Sequence, residues 1–194
     1  MIHVQLLHVL GWIWAGFGVY WIAAARRGKA EQTSERSWYR LSRIFLLVIT
    51  FALLFSPRAG VGPLGRRFLP PLPLIAYTGF ALALSGMGIA LWARIHLGQY
   101  WSDKVVLKLG HQLITSGPYA RMRHPIYSGV LLGVAGTALV VGEWRALLGF
   151  FLLLTNYAIK AKREEKILAG AFAGKFPEHK RRAGFLLPRL YSKQ

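Results

Sequence analysis

The stretch "GPYARMRHPIYSGVLLGVAG", residues 117–136, places two arginines and a histidine directly before a long apolar run. Pro125 suits the first position of a helix, which leaves His124 near its N-cap. The free backbone N–H groups at such a helix start, together with the helix dipole, attract an anion such as a carboxylate or phosphate. Arg121 and Arg123 add positive charge there, or serve simply as anchors at the membrane surface. The stretch therefore predicts a helix entering a membrane and, at its start, a candidate anion site.

Outward from this stretch, the chain is too apolar for a typical soluble domain of its length. Hydrophobic residues make up 54% of the 194 residues, and charged residues only 16%. The net charge of +18 lies between and after the apolar runs, which suits anionic lipid headgroups better than nucleic acid. The absence of cysteine excludes disulfides and thiolate chemistry, and the six histidines show no metal-ligand spacing. We therefore predict a membrane protein with no metal site and no nucleic-acid partner.

The apolar runs predict an all-α integral membrane protein with about five transmembrane helices in one continuous domain. Three N-terminal helices are expected within residues 1–97, and the third apolar run begins at Phe68. Residues 98–194 are expected to hold a basic loop, a tight helical hairpin that turns at 143–145, and a basic tail. Nothing breaks the last helix before Gly170 or Gly174. Lys and Arg are concentrated in the 25–43 and 94–124 loops and the tail, which predicts a cytoplasmic loop and C-terminus and an external N-terminus.

An acidic pair, Glu164-Glu165, stands near the end of the last predicted helix. Carboxylates oppose the helix dipole at that end and need a compensating cation. Neighbouring lysines and an arginine would provide one on a solvated surface, and a bound cationic ligand is the alternative. The residues alone leave both interpretations open.

These motifs together resemble the isoprenylcysteine carboxyl methyltransferase family, which methylates with S-adenosylmethionine in the membrane. The resemblance rests on "LGQYWS" at 97–102, "HQLITSGPYARMRHPIYSG" at 111–129 and "EEKILAGAFAGKFPEHKRR" at 164–182. It implies a cofactor site in which a strand-like run at 111–114 lines the adenosine part and the helix start holds the methionine part. The cofactor-binding residues so implied are His111, Gln112, Leu113, Ile114, Gly117, Tyr119, Arg123, His124, Pro125, Ile126, Tyr127 and Glu165.

The resemblance has one departure, because Ala161 stands where the family has an arginine, four residues before Glu165. In the family that arginine is thought to orient a substrate carboxylate. Lys160, Lys162 or Arg163 could substitute, although each projects at a different angle. The predicted activity is methyl transfer to a lipophilic or small acceptor, with Glu164, Glu165 and His124 as catalytic candidates. The alternatives are an NADPH-dependent reductase of the sterol-reductase type and a non-enzymatic basic membrane scaffold.

Overall fold

Six α-helices make up most of the described chain. The computed structural model describes residues 2–25, 37–101 and 112–189. Within these ranges β-structure is limited to two isolated bridges, so the predicted all-α class is confirmed. The helices are α1 (Ile2–Ala25), α2 (Ser37–Phe55), α3 (Pro73–Leu97), α4 (Pro125–Val141), α5 (Trp144–Ala171) and α6 (Phe176–Arg182).

Proline and glycine set the helix ends that matter most. Pro125 begins α4 and His124 is its N-cap residue, as predicted. Gly142 ends α4 in the left-handed region with φ of 67°, and only one further residue separates it from α5. The tight hairpin is therefore confirmed, and α5 continues to Ala171 as expected. The third helix begins at Pro73 rather than at Phe68, because consecutive prolines before it supply no N–H groups for helical hydrogen bonds.

Small residues bring α3 and α4 into close backbone contact. A Cβ added at Gly86 would lie 2.3 Å from the Gly133 backbone nitrogen and 2.5 Å from the Gly129 carbonyl oxygen. Gly79 and Gly136 make a second such approach further along the same helix pair. Gly79 and Gly86 therefore allow the two backbones to approach closely, and this interface fixes the position of α4, which begins at the candidate site.

Membrane spans are evident from helix length and surface composition. The helices α1, α2 and α3 are each long and apolar enough to cross a bilayer, and α4 is apolar but has 17 residues. Large apolar side chains face outward, including Trp12 (81% exposed) and Leu74 (75% exposed). The multi-pass membrane prediction is confirmed by this arrangement.

A buried arginine, Arg145, lies just after the α4–α5 turn and contacts the end of α2. Arg145 is only 5% exposed. Its Nη1 group donates to the carbonyl oxygens of Leu53 (2.6 Å) and Leu54 (3.2 Å), and its Nε donates to Glu143 Oε2 at 2.6 Å. Because a helix end leaves its last carbonyls without partners, this arginine satisfies the C-terminus of α2 from a neighbouring helix.

Candidate active site

An ion-pair cluster joins the start of α4 to the C-terminal half of α5. Arg123 Nε donates to Glu165 Oε1 at 2.6 Å, and His124 Nε2 lies 3.3 Å from the same oxygen. Lys180 Nζ lies 3.8 Å from the other carboxylate oxygen. Burial opposes ionisation of Glu165, but the hydrogen bonds from His124 and Arg123 outweigh it and lower its pKa to about 2. Glu165 is therefore a carboxylate at any physiological pH.

Glu164 forms a second cluster on the adjoining face of α5. The Tyr127 hydroxyl donates to Glu164 Oε1 at 2.5 Å, and Lys160 Nζ lies 3.8 Å from that oxygen. The His124 ring is between the two acidic residues, since its Nδ1 lies 3.6 Å from Glu164 Oε2. The predicted catalytic candidates Glu164, Glu165 and His124 are thus brought together in one cluster.

The segment 183–189 closes over the cluster. Backbone hydrogen bonds join Arg123 N to Gly184 O (2.8 Å) and Gly184 N to Arg121 O (3.0 Å). Arg123 Nη1 also donates to the carbonyl of Ala183, and the Phe185 ring packs edge-on against His124 at 5.4 Å. A cavity of about 470 Å³ lies between this segment and Arg123. The cluster is therefore held by residues some 60 positions later in the chain as well as by α5.

An apolar cluster borders the charged one. Tyr119 and Ile126 are buried together with Trp101 and Ala93, and Ile114 and Tyr127 pack against them. Burial raises the pKa of Tyr119 above its ordinary value, so this phenol stays neutral. The site therefore places acidic and basic side chains beside an apolar, partly aromatic wall.

The structure assembles most of the predicted cofactor residues but not all of them. Pro125 is fully buried at the helix start. Gly117 has φ of 56°, and a Cβ there would meet the His96 ring at 2.7 Å. Gln112 is exposed and Leu113 half-buried, outside the apolar cluster described above. The strand-like run was wrong over its described part, since residues 112–115 form neither helix nor strand, and His111 lies outside the described residues.

Several contacts at the site were not predicted from the sequence. Lys180 contacts Glu165, and the Ser128 hydroxyl donates to the carbonyl of Leu186 at 2.5 Å. The partners are separated by 58 residues in the case of Ser128, and no local pattern marks either pairing. Phe185 likewise belongs to a tail that sequence reasoning treated only as basic with apolar anchors.

Lys160 lies closer to the acidic pair than the other two basic residues beside Ala161. Lys160 is 7% exposed, and its ammonium lies 5.2 Å from the centre of the Tyr127 ring. Lys162 is exposed, and the Arg163 guanidinium lies 3.8 Å from the centre of the Tyr39 ring. Of the three basic candidates beside Ala161, Lys160 is therefore the one that enters the site.

Sequence comparisons relate the chain to known proteins. Residues 79–170 match the sequence model of the isoprenylcysteine carboxyl methyltransferase family. A probable protein-S-isoprenylcysteine O-methyltransferase of Oryza sativa subsp. indica is 27% identical over 159 residues, which cover 80% of each chain. The cobalt-zinc-cadmium resistance protein CzcN of Cupriavidus metallidurans is 32% identical over 149 residues, 76% of this chain and 63% of that protein.

A solved structure shares the fold. The eukaryotic intramembrane Ras methyltransferase, an isoprenylcysteine carboxyl methyltransferase, superposes with a TM-score of 0.53 at 18% identity. The match covers 81% of this chain and 54% of that one, so this chain spans about half of the larger enzyme. This likeness confirms the predicted membrane fold, and the family match agrees with the resemblance that the sequence motifs predict.

Proposed function

We propose that the chain, whose residues 79–170 match the model of the isoprenylcysteine carboxyl methyltransferase family, transfers a methyl group from S-adenosylmethionine to a lipophilic acceptor. The observation that carries the proposal is the contact of Arg123 and His124 with Glu165 at the start of α4. A zwitterionic ligand requires a site in which basic and acidic side chains lie close together. A basic membrane scaffold would need only the cations.

The charges of the site fit those of S-adenosylmethionine. Its carboxylate suits the start of α4 with Arg123, and its ammonium and sulfonium suit Glu164 and Glu165. Because Arg123 and Glu165 pair with each other at 2.6 Å, binding would exchange this pair for two contacts with the ligand. When bound, the ligand supplies an electrophilic methyl group and leaves as a neutral thioether. The apolar cluster of Ile114, Tyr119 and Ile126 would border its adenosine part.

Lys160 is our candidate contact for the polar head of the acceptor. It lies on α5 one residue before Ala161, whose side chain is fully buried and cannot make a polar contact. Its ammonium lies beside the Tyr127 ring and within 3.8 Å of Glu164. Arg123 is instead paired with the other acidic residue, Glu165. A carboxylate acceptor needs no base, whereas an amine or thiol must lose a proton, for which Glu164 or His124 is the candidate. Holding the reactants in line and away from water is then the main task of the protein.

We also propose the orientation of the chain in the membrane. The site, the basic loops and the tail would face the cytoplasm, and the α4–α5 turn and the N-terminus would lie outside. The cofactor would then enter from the cytoplasm, and the acceptor laterally from the bilayer. Single cysteines introduced at the exposed positions Arg58, in the loop on the side of the N-terminus, and Lys175, and labelled from each side of sealed vesicles, test this orientation. Opposite accessibility of the two positions is expected, and labelling of both from the same side would contradict it.

Calorimetric titration of the purified protein in detergent tests the cofactor site. Glu165→Ala and His124→Ala should each weaken S-adenosylmethionine binding by about tenfold or more, because each removes a charge-assisted contact. Glu178→Ala is the matched control, since Glu178 pairs with Arg182 on exposed α6. Unchanged affinity in both site variants would refute the assignment, and preferential binding of NADPH would favour the reductase alternative.

A second measurement separates the acceptor contact from the cofactor contact. Labelled S-adenosylmethionine and lipid extract are incubated with the protein, and transfer to lipid is counted. Lys160→Met should keep cofactor affinity and lose most of the transfer, while Lys160→Arg should retain part of it. Transfer by Lys160→Met at the level of the unmodified chain would exclude Lys160 as the acceptor contact.

A further inference from the structure

A second cavity lies at the opposite end of the bundle from the candidate active site. Its volume is about 550 Å³, within the range of small-molecule sites. It is bordered by the start of α1, the end of α2, the end of α4 and the α4–α5 turn. The active-site cluster lies at the start of α4 and the C-terminal half of α5, so the two cavities are separate.

The side walls of the cavity are apolar and open toward the bilayer. Val4, Leu7, Trp12 and Phe55 line it, and Trp12 is 81% exposed. Gly11 also lines it, and the nearest atom to a Cβ added at Gly11 is on the Phe55 ring at 3.8 Å. The groove therefore exists because a small residue of α1 faces an aromatic residue of α2, and its walls suit a hydrocarbon chain.

One end of the cavity is polar and carries a cation. Arg67 is held in place by hydrogen bonds from Nε to the Leu69 carbonyl (3.1 Å) and from Nη1 to the Val141 carbonyl (3.1 Å). Guanidinium has five N–H donors, so this arginine keeps donors for a ligand. The nearby carboxylate of Glu143 is paired with Arg145 at 2.6 Å. Among the described residues, Arg67 has no carboxylate within ion-pair distance.

His3 adds a second polar group to the same end. Its Nδ1 lies 3.2 Å from the Val140 carbonyl oxygen, which can only accept a hydrogen bond, so Nδ1 carries a proton. Its Nε2 atom is buried and has no hydrogen-bond partner within the described ranges. With the proton on Nδ1, Nε2 can accept a hydrogen bond from a ligand hydroxyl.

From these observations we propose that the cavity binds an anionic glycerophospholipid, with its phosphate at Arg67, a headgroup hydroxyl at His3 and an acyl chain between α1 and α2. An apolar groove that ends in a fixed cation suits an amphiphile with an anionic head, whereas a soluble anion would leave the groove unfilled. This site is independent of methyl transfer, and its ligand is a structural lipid rather than the acceptor.

Native mass spectrometry of the detergent-purified chain tests the proposal with phosphatidylglycerol, phosphatidylcholine and diacylglycerol of identical acyl chains. Phosphatidylglycerol should be retained most strongly, and inorganic phosphate alone should not bind. Arg67→Gln and Gly11→Leu should each weaken its retention by about tenfold, the first by removing charge-assisted hydrogen bonds and the second by filling the groove.

Matched controls keep this test specific. Arg58→Gln removes a cation outside the cavity lining, and Gly16→Leu adds the same side chain to α1 where nothing lies within 4 Å. Both should retain phosphatidylglycerol like the unmodified chain, and a melting temperature measured in the same detergent shows that each variant is folded. Equal retention of phosphatidylglycerol and diacylglycerol, or equal behaviour of all four variants, would overturn the proposal.

Discussion

The substitution Gly86→Ala tests whether backbone contact between α3 and α4 supports the site. A methyl group at Gly86 would lie 2.3 Å from the Gly133 nitrogen and 2.5 Å from the Gly129 oxygen. Ordinary contact needs about 3.5 Å, so the two helices would have to separate by roughly 1 Å. Overpacking of this kind costs about 1–3 kcal/mol.

Gly88→Ala is the matched control on the same helix. Nothing lies within 4 Å of a Cβ at this position, so the substitution meets open space. Alanine is preferred over glycine in a helix by about 0.5–1 kcal/mol, which should leave Gly88→Ala neutral or slightly stabilising. The propensity gain is the same for both substitutions, so the two variants should differ by the overpacking cost of about 1–3 kcal/mol, which corresponds to roughly 2–12 °C in melting temperature for a chain of this size.

The assay is thermal unfolding of both variants in the same detergent, followed by calorimetric titration with S-adenosylmethionine. Gly86→Ala should melt lower and also bind the cofactor more weakly, because α4 carries His124 at its start. If Gly86→Ala melts at or above the temperature of Gly88→Ala, the close approach of α3 and α4 is wrong. If it melts lower but binds normally, the interface stabilises the bundle without positioning the site.

Two further outcomes follow from the buried ion pairs. Arg145→Met should lower the free energy of unfolding by about 3–5 kcal/mol, because it leaves Glu143 and the last carbonyls of α2 without partners. Chemical denaturation measures this change. Arg58→Met, a substitution at an exposed position, should change the free energy of unfolding little. Because the pKa of Glu165 is lowered to about 2, its stabilisation is complete above its ordinary value near 4.5 and is lost as pH falls toward 2. The difference in melting temperature between the unmodified chain and Glu165→Gln should therefore stay constant from pH 8 to 5 and shrink below 4.5; a difference that shrinks between pH 8 and 6 would contradict the assigned cause.

The sequence predicted those parts of the fold that local chemistry determines. Pro125 could be placed at a helix start because its fixed φ and missing N–H suit that position. Gly142 ends α4 in a left-handed conformation that glycine adopts without strain, which makes the hairpin short. The start of α3 was misplaced by five residues because hydropathy measures burial in lipid and not hydrogen bonding, and the prolines that precede the helix are apolar.

The site was predicted less completely because its contacts are long-range. The acidic pair Glu164-Glu165 and the helix start at His124-Pro125 indicated a cofactor site by their residue types. The side chains that these residues contact depend on how the helices pack. Three basic residues flank Ala161, and nothing in the sequence distinguishes Lys160 from the other two. Successive side chains on an α-helix point about 100° apart, so the three basic side chains face different directions. The packing of α5 against α4 determines which of them faces the site.

The C-terminal segment links the occupancy of the site to the rest of the chain. Arg123 donates both to Glu165 and to the carbonyls of Lys180 and Ala183, so one guanidinium holds α5 and the tail together. A ligand that moved Arg123 away from Glu165 would also change the hydrogen bonds of Arg123 to those two carbonyls. Phe185, packed against His124, would respond with it. Under the proposed function the tail is therefore part of the binding site, and we expect the protection of its backbone amides from hydrogen exchange to change when the ligand binds.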